Sequence, residues 1–182
     1  MPQIDIEGIE GVEINYWSIH SDNRGTFNSI NFPLLTSNQE KDNLQIAYSM
    51  NNELGTLRGM HLQRSCNPLT KYVSCINGEI WDVLVDLRPS SRTFQDWGAI
   101  RLSHEIGKVL TVPAGIAHGY MTLSKNATVL YLISGKREKR DELTLNYRDT
   151  SIGIVWPQEP RVISQSDLGG LNFENVLKKL EC

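Results

Sequence analysis

Apolar and polar positions alternate with period two in a succession of short runs along this chain, most densely from residue 44 onward. In an extended chain, successive side chains fall on opposite faces, so such runs read as strands with one face buried. Leu44 to Met50, Leu57 to Gln63, Lys71 to Ile76 and Glu79 to Leu87 fit this pattern. In the last of these Trp81, Val83, Val85 and Leu87 form an apolar face, while Asp82 and Asp86 point the other way. Thr93 to Leu102, Lys108 to Val112, Gly119 to Leu123 and Ala127 to Ser134 continue the series, between loops carrying Pro89, Gly107, Pro113 and Gly115. Near the start, Gly11 to Ile19 alternates as one strand, Asp22-Asn-Arg-Gly25 is a turn, and Thr26 to Asn31 is a second short strand. Thr36 to Asn43 is polar and irregular, a surface loop or a single helical turn. Asn77-Gly78 is the strongest short hairpin signal in the chain. Only Asn172 to Leu180 has helical spacing, with Phe173, Val176, Leu177 and Leu180 on its apolar side. Many short strands at this spacing predict an all-β sandwich or barrel with a short C-terminal helix.

Composition narrows the class without changing it. At 182 residues, 40% hydrophobic and 21% charged, residues 1–182 are expected to form one domain with a sizeable core. A net charge of −3 with no basic stripe argues against a nucleic-acid partner. No apolar run is long enough for a membrane span, and the acidic start does not read as a signal peptide. Three cysteines, Cys66, Cys75 and Cys182, lack metal-ligand spacing, and so few predict reduced thiols and a cytoplasmic setting. Lys136-Arg-Glu-Lys-Arg140 is broken by Glu138 and followed by Asp141 and Glu142, which suits a solvated loop rather than a basic targeting patch.

The candidate chemistry centres on Leu57-Arg-Gly-Met-His-Leu-Gln63 and Lys71-Tyr-Val-Ser-Cys75. His61 and Gln63 are two apart and share a strand face, with Met60 and Leu62 on the other. Polar groups on an inward face are costly unless they pair or work. Pro113-Ala-Gly-Ile-Ala-His118 adds a tight turn and a second histidine at the entry to a strand. Together with Gly55, His61 and Gly78 it has the outline of the two cupin motifs, whose barrels are jelly rolls. Metal-binding cupins carry His-x-His and a following Glu in the first motif. Here Gln63 stands at the second ligand and no acidic residue lies between it and Gly78, so no metal is expected.

Six blocks in order then carry a more specific resemblance. Asp22-Asn-Arg-Gly25, Leu57 to Gln63, Lys71 to Cys75, Gly78 to Arg88, Pro113 to Gly119 and Ile152-Gly-Ile-Val-Trp-Pro157 together resemble the nucleotide-sugar 3,5-epimerase family. That resemblance implies a cofactor-free cupin homodimer that inverts C3, C5 or both of a nucleotide-linked 4-keto-6-deoxyhexose. It gives His61 the role of base, Lys71 a place beside the C4 oxygen, Tyr131 the role of acid on the opposite face, and Asp167 the carboxylate that orients the imidazole. Arg24, Arg58, Gln63, His118 and Tyr48 fall at substrate-binding positions. Singly, each has a plain structural use: a satisfied histidine, a solvated cation, a half-buried tyrosine, a turn aspartate. Their joint occurrence in register is what favours the catalytic reading. The chain departs from the pattern in the recognition positions, with Tyr48-Ser49 near an expected amide pair, Thr26-Phe-Asn-Ser29 in place of a Phe-rich run ending in Glu, and Lys136-Arg137 where aromatic residues are usual. The nucleotide is therefore left open. A nucleotide-sugar 3,4-ketoisomerase and a non-catalytic sugar-binding cupin are the competing readings.

Overall fold

The computed structural model describes residues 3–30 and 44–181. The strands are β1 (Gln3–Ile4), β2 (Glu13–Tyr16), β3 (Ser18–Asp22), β4 (Gly25–Ser29), β5 (Leu44–Asn51), β6 (Thr56–Gln63) and β7 (Thr70–Asn77). They continue with β8 (Glu79–Asp86), β9 (Trp97–Ser103), β10 (Lys108–Val112), β11 (Ile116–Thr122), β12 (Ala127–Ser134), β13 (Glu142–Thr144) and β14 (Val162–Ile163). Two short helices follow, α1 (Gln165–Leu168) and α2 (Phe173–Leu180). One sheet runs β1-β9-β8-β11-β6-β13, with β14 parallel beside β6; the second runs β2-β10-β7-β12-β5. Among the described residues, β3 and β4 pair only with each other. The architecture is a cupin-type jelly roll.

Alternation distributes the apolar residues between two cores. Ile80, Leu84, Ile116 and Tyr120 of the larger sheet meet Val73, Cys75, Leu110 and Val129 of the smaller one in the sandwich interior. On the other face of the larger sheet, Met60, Leu62, Val83, Val85 and Met121 pack against Tyr147, Ile152 and the Phe173, Val176 and Leu180 stripe of α2. Asn172 caps α2 by accepting from the Asn175 amide at 3.0 Å, and Lys178 and Lys179 occupy its last turn, where cations suit the helix dipole.

Four sequence expectations change. Gly11 to Ile19 is two strands. Trp17 breaks the run because its amide donates to Gly107 O at 2.8 Å and its indole to Ser74 Oγ at 2.9 Å, so β2 joins the smaller sheet and β3 leaves it. Asn77-Gly78 is not a hairpin. β7 pairs with β10 and β12, and β8 with β9 and β11, so the glycine, at φ +72°, is the corner where the chain crosses between sheets. Thr93 to Leu102 becomes a strand only at Trp97, because Ser91 and Thr93 turn back to donate to the buried Asp86 at 2.6 and 2.7 Å. Asp86 thus pins a turn, with Arg88 as its ion-pair partner, and takes no part in the cavity. The segment 36–43 lies outside the described residues. Cys75 is a buried free thiol, pushed up to about 11 by burial, whereas Cys66 is disulfide-bonded, against the expectation of reduced cysteines.

Candidate active site

A cavity of about 240 Å³ lies between the two sheets, walled by β6, β11 and β13 on one side and β5, β7 and β12 on the other. Pockets for drug-sized ligands run to roughly 300–1,000 Å³, so this one suits a sugar ring with the rest of a larger molecule outside.

β6 supplies His61, Gln63 and Arg58 to the lining, although Arg58 has the wrong parity for a regular strand. The irregularity has a local cause. His61 pairs with His118 but Arg58 with Tyr120, three steps on β6 against two on β11. Gly59 absorbs the extra residue at φ +117°, where a Cβ would stand 2.6 Å from the Gly119 Cα. The bulge brings Arg58 back to the cavity side, where its Nε donates to Asn51 Oδ1 at 2.8 Å.

His61 Nε2 lies 2.7 Å from Asp167 Oδ1. The imidazole is 31% exposed and its partner carboxylate 6%, so the ring meets the cavity while the carboxylate sits behind it. α1 positions Asp167: Ser164 Oγ caps the helix by accepting the Asp167 amide at 3.1 Å. Burial alone would raise the Asp167 pKa, but the His61 hydrogen bond and charge, with help from Ser164 and the Gly59 amide, hold it below the ordinary value. A carboxylate kept ionised in this position favours one ring orientation and stabilises a protonated imidazole.

Across the cavity, Lys71 of β7 donates from Nζ to the His61 carbonyl at 3.2 Å. Burial lowers its pKa to about 8; Glu142 and Asp82 oppose that fall, and Arg137 adds to it. Tyr131 of β12 faces inward between Leu130 and Leu132, and burial, with Tyr120 nearby, raises its pKa well above the ordinary phenol value. Its hydroxyl lies 3.5 Å from Ser49 Oγ, which is 2.7 Å from Tyr120 Oη. His118 forms the cavity floor with Asp82 Oδ2 at 2.9 Å, both side chains at least nine-tenths buried. Burial raises the Asp82 pKa against the pull of His118 and Lys71.

His61, Lys71, Tyr131, His118, Arg58 and Gln63 therefore line one cavity, with Asp167 immediately behind His61. Tyr48 borders the same cavity, although it alternates outward with Ile46 and Met50 at 67% exposure and Ser49 takes the inward position beside it. One expected residue stands elsewhere. Arg24 sits on the exposed β3–β4 hairpin, paired with Asp22 at 2.5 Å, and does not reach the cavity of its own chain. Arg137, read as a recognition position, does line the cavity, and Tyr120 and Glu142 line it without having been expected there. Tyr120 was readable, since it follows His118 at strand spacing. Glu142, joined to Arg137 at 2.6 and 2.9 Å, was hidden in a charge-rich run that reads as a loop.

Among the described residues, no group of three or more His, Cys, Asp and Glu side chains could hold a metal ion. What the two sheets present to each other are proton-handling groups, so fold and cavity together define a cupin equipped for acid–base chemistry. The chain belongs to the dTDP-4-dehydrorhamnose 3,5-epimerase family, whose sequence profile matches residues 7–175. The family's enzyme from Mycobacterium tuberculosis strain H37Rv is 32% identical over 169 residues, 87% of this chain and 81% of that one. The solved dTDP-6-deoxy-D-glucose-3,5-epimerase from Legionella pneumophila, in complex with dTDP-4-keto-L-rhamnose, superposes with a TM-score of 0.83 at 29% identity, covering 96% of this chain and 94% of that one. ChmJ, a 3′-monoepimerase from Streptomyces bikiniensis solved with dTDP-quinovose, gives a TM-score of 0.85 at 26% identity, over 98% and 92%.

Proposed function

We propose that this chain inverts C3, C5 or both of a nucleoside-diphosphate-linked 4-keto-6-deoxyhexose, without a cofactor, in deoxysugar biosynthesis. The observation that carries the proposal is the placement of a carboxylate-backed imidazole and a buried phenol on opposed sheets around one ring-sized cavity. The C4 ketone acidifies the neighbouring C–H bonds. His61 removes that proton, Asp167 stabilises the imidazolium, and Lys71 holds the enolate oxygen that forms. Tyr131 then delivers its hydroxyl proton to the same carbon from the other face, completing the inversion. Arg58 and His118 hold the sugar and its phosphates. The 3,5-epimerase and the 3′-monoepimerase are both similar to this chain, so the positions inverted are decided by experiment.

Residues 1–182 act in this reading as one cytoplasmic unit, since a charged nucleotide sugar does not cross a membrane unaided. Against that setting stands the Cys66 disulfide, and thiol counting before and after reduction measures how far it forms. The protein is proposed to be a homodimer. Ile46, Tyr48 and Met50 leave an apolar stripe along β5, each at least 66% exposed, and Phe27 of the hairpin is 69% exposed. Patches of that kind mark association surfaces. A second copy seated there also gives Arg24 a cavity to serve, that of its partner.

The test is incubation with nucleotide-linked 4-keto-6-deoxyhexoses in deuterated water. Deuterium is expected at C3, C5 or both, with inverted product, and His61→Ala abolishes its entry while the fold persists. Movement of the carbonyl between C4 and C3 would establish the ketoisomerase instead, and binding without exchange a silent cupin.

A further inference from the structure

Gln63 is a polar side chain in this cavity wall that the proposed reaction leaves unused and that has no partner within the described residues. It is 7% exposed, and both its Nε2 and its Oε1 are closed off from solvent with no hydrogen-bond partner. Its charged neighbours are already engaged: Lys71 with the His61 carbonyl, and Glu142 with Arg137. The backbone of Gln63 is fixed opposite Glu142 in the β6–β13 pair, so the side chain has little freedom to seek a partner elsewhere. A buried amide with both ends unpaired is costly, and in native proteins it points to water or a ligand.

We propose that Gln63 reads the adjacent C2 and C3 hydroxyls on the ring of the keto-sugar, with Nε2 donating to one oxygen and Oε1 accepting the proton of the other. Two neighbouring hydroxyls offer an acceptor and a donor side by side, matching the two empty ends of the carboxamide. Position supports the same choice. Gln63 follows His61 by two residues on one strand face, about 6.6 Å along the strand. A ring whose reacting carbon meets His61 therefore presents a peripheral substituent to Gln63 rather than the bond being broken. The site accordingly favours sugars that keep both hydroxyls over their deoxy counterparts. The inference rests on the epimerase reading and assigns its substrate selectivity.

The experiment compares wild type with Gln63→Met, which keeps the length of the side chain and removes both hydrogen-bonding ends. Each is given a 4-keto-6-deoxyhexose nucleotide and its 2-deoxy and 3-deoxy analogues, with kcat/KM read from deuterium entry at C3 and C5. Wild type is expected to prefer the full substrate over each analogue by about ten-fold. In Gln63→Met that preference falls toward one, and thermal stability is unchanged or higher because an unpaired buried amide has been removed. Equal preference in both proteins overturns the proposal and leaves an enclosed water as the partner of the amide. A lowered Tm with the same loss on all three substrates also overturns it, in favour of a structural role. A wild type inert toward every keto-sugar defeats the epimerase reading and this inference with it, an outcome distinct from an unchanged preference in two active proteins.

Discussion

Replacing Lys71 with methionine separates two consequences of burying a cation in this cavity, one for stability and one for the proposed chemistry. Burial lowers the Lys71 pKa from 10.5 to about 8, even with the Glu142 carboxylate opposing the fall. At about 1.4 kcal/mol for each tenfold change in proton affinity, that corresponds to about 3 kcal/mol against the charged form in the folded chain. Methionine retains most of the apolar stem and removes the charge. Loss of the hydrogen bond to the His61 carbonyl takes back about 1 kcal/mol. At pH 7 the variant is therefore expected to be more stable than wild type by about 2 kcal/mol. The unfolded chain keeps the lysine proton up to about pH 10.5, the folded chain only up to about 8. Between those values the unfolded state binds more protons, so wild-type stability rises with pH there and the advantage of the variant shrinks. Below about pH 8 both states are protonated and the difference is constant.

Activity moves the other way. Removing one preorganised donor to a developing oxyanion costs roughly 10²–10³ in kcat. The wild-type rate should decline above about pH 8 as Lys71 loses its proton, and Lys71→Met should lack that decline. Urea unfolding at pH 6 to 10, followed by tryptophan fluorescence, together with deuterium exchange over the same range, tests both arms. A variant less stable than wild type at pH 7, or one that keeps the alkaline decline, refutes the reasoning.

Tyr131→Phe keeps the ring and deletes the donor. It is expected to retain exchange by His61 while losing most inverted product, and equal loss of both would make Tyr131 a binding residue or the first base. Asp167→Asn keeps a hydrogen bond to His61 but removes the charge behind it, and a loss of roughly 10²–10⁴ in exchange rate is expected. Because the Asp167 pKa is held below its ordinary value, the stability it contributes is present at neutral pH and lost as pH falls through the lowered pKa. The unfolding difference between wild type and Asp167→Asn should therefore narrow only in acid.

The strands that carry the site were legible because their alternation is strong. Residues 57–63, 71–76 and 127–134 lie within β6, β7 and β12, and the inward direction of Tyr131 follows from parity alone. What failed was information held by other parts of the chain. Asn77-Gly78 has the local chemistry of a hairpin, but which sheet β8 joins is decided by its pairing with β9 and β11. Tyr48 and Ser49 are adjacent, and parity turns Ser49 inward while Tyr48, 67% exposed, still borders the cavity. Arg58 was placed by resemblance alone; strict alternation points it away, and only the bulge at Gly59 explains how it reaches the cavity. α1 is too short to show a period, and Asp167 reads as a turn residue until Ser164 is seen capping it. Arg24 lies on a hairpin that pairs with neither large sheet among the described residues, so its distance from the cavity could not be read from its motif.

The jelly roll itself accounts for why inversion, rather than simple exchange, is within reach of so few groups. A base and an acid on one strand, or on adjacent strands of one sheet, would both approach a bound ring from the same side. Such a pair can remove a proton and return it, but it cannot invert the centre. β6 and β12 belong to different sheets, and packed sheets lie about 10 Å apart, so a ring between them shows one face to His61 and the other to Tyr131. Burial keeps the Tyr131 hydroxyl protonated, and Asp167 supports the imidazolium opposite it, so the proton gradient across the ring has a fixed direction. Lys71 comes from β7, beside β12, so in the proposed reaction it would hold the ketone oxygen from the acid side. With one base on one side, C3 and C5 can be served in turn only if the ring keeps the same face toward His61 and shifts or turns within its own plane to bring each carbon to it. Whether one centre or two are inverted is then a matter of which ring orientations the cavity wall admits, and that wall includes Gln63, Arg137 and Glu142.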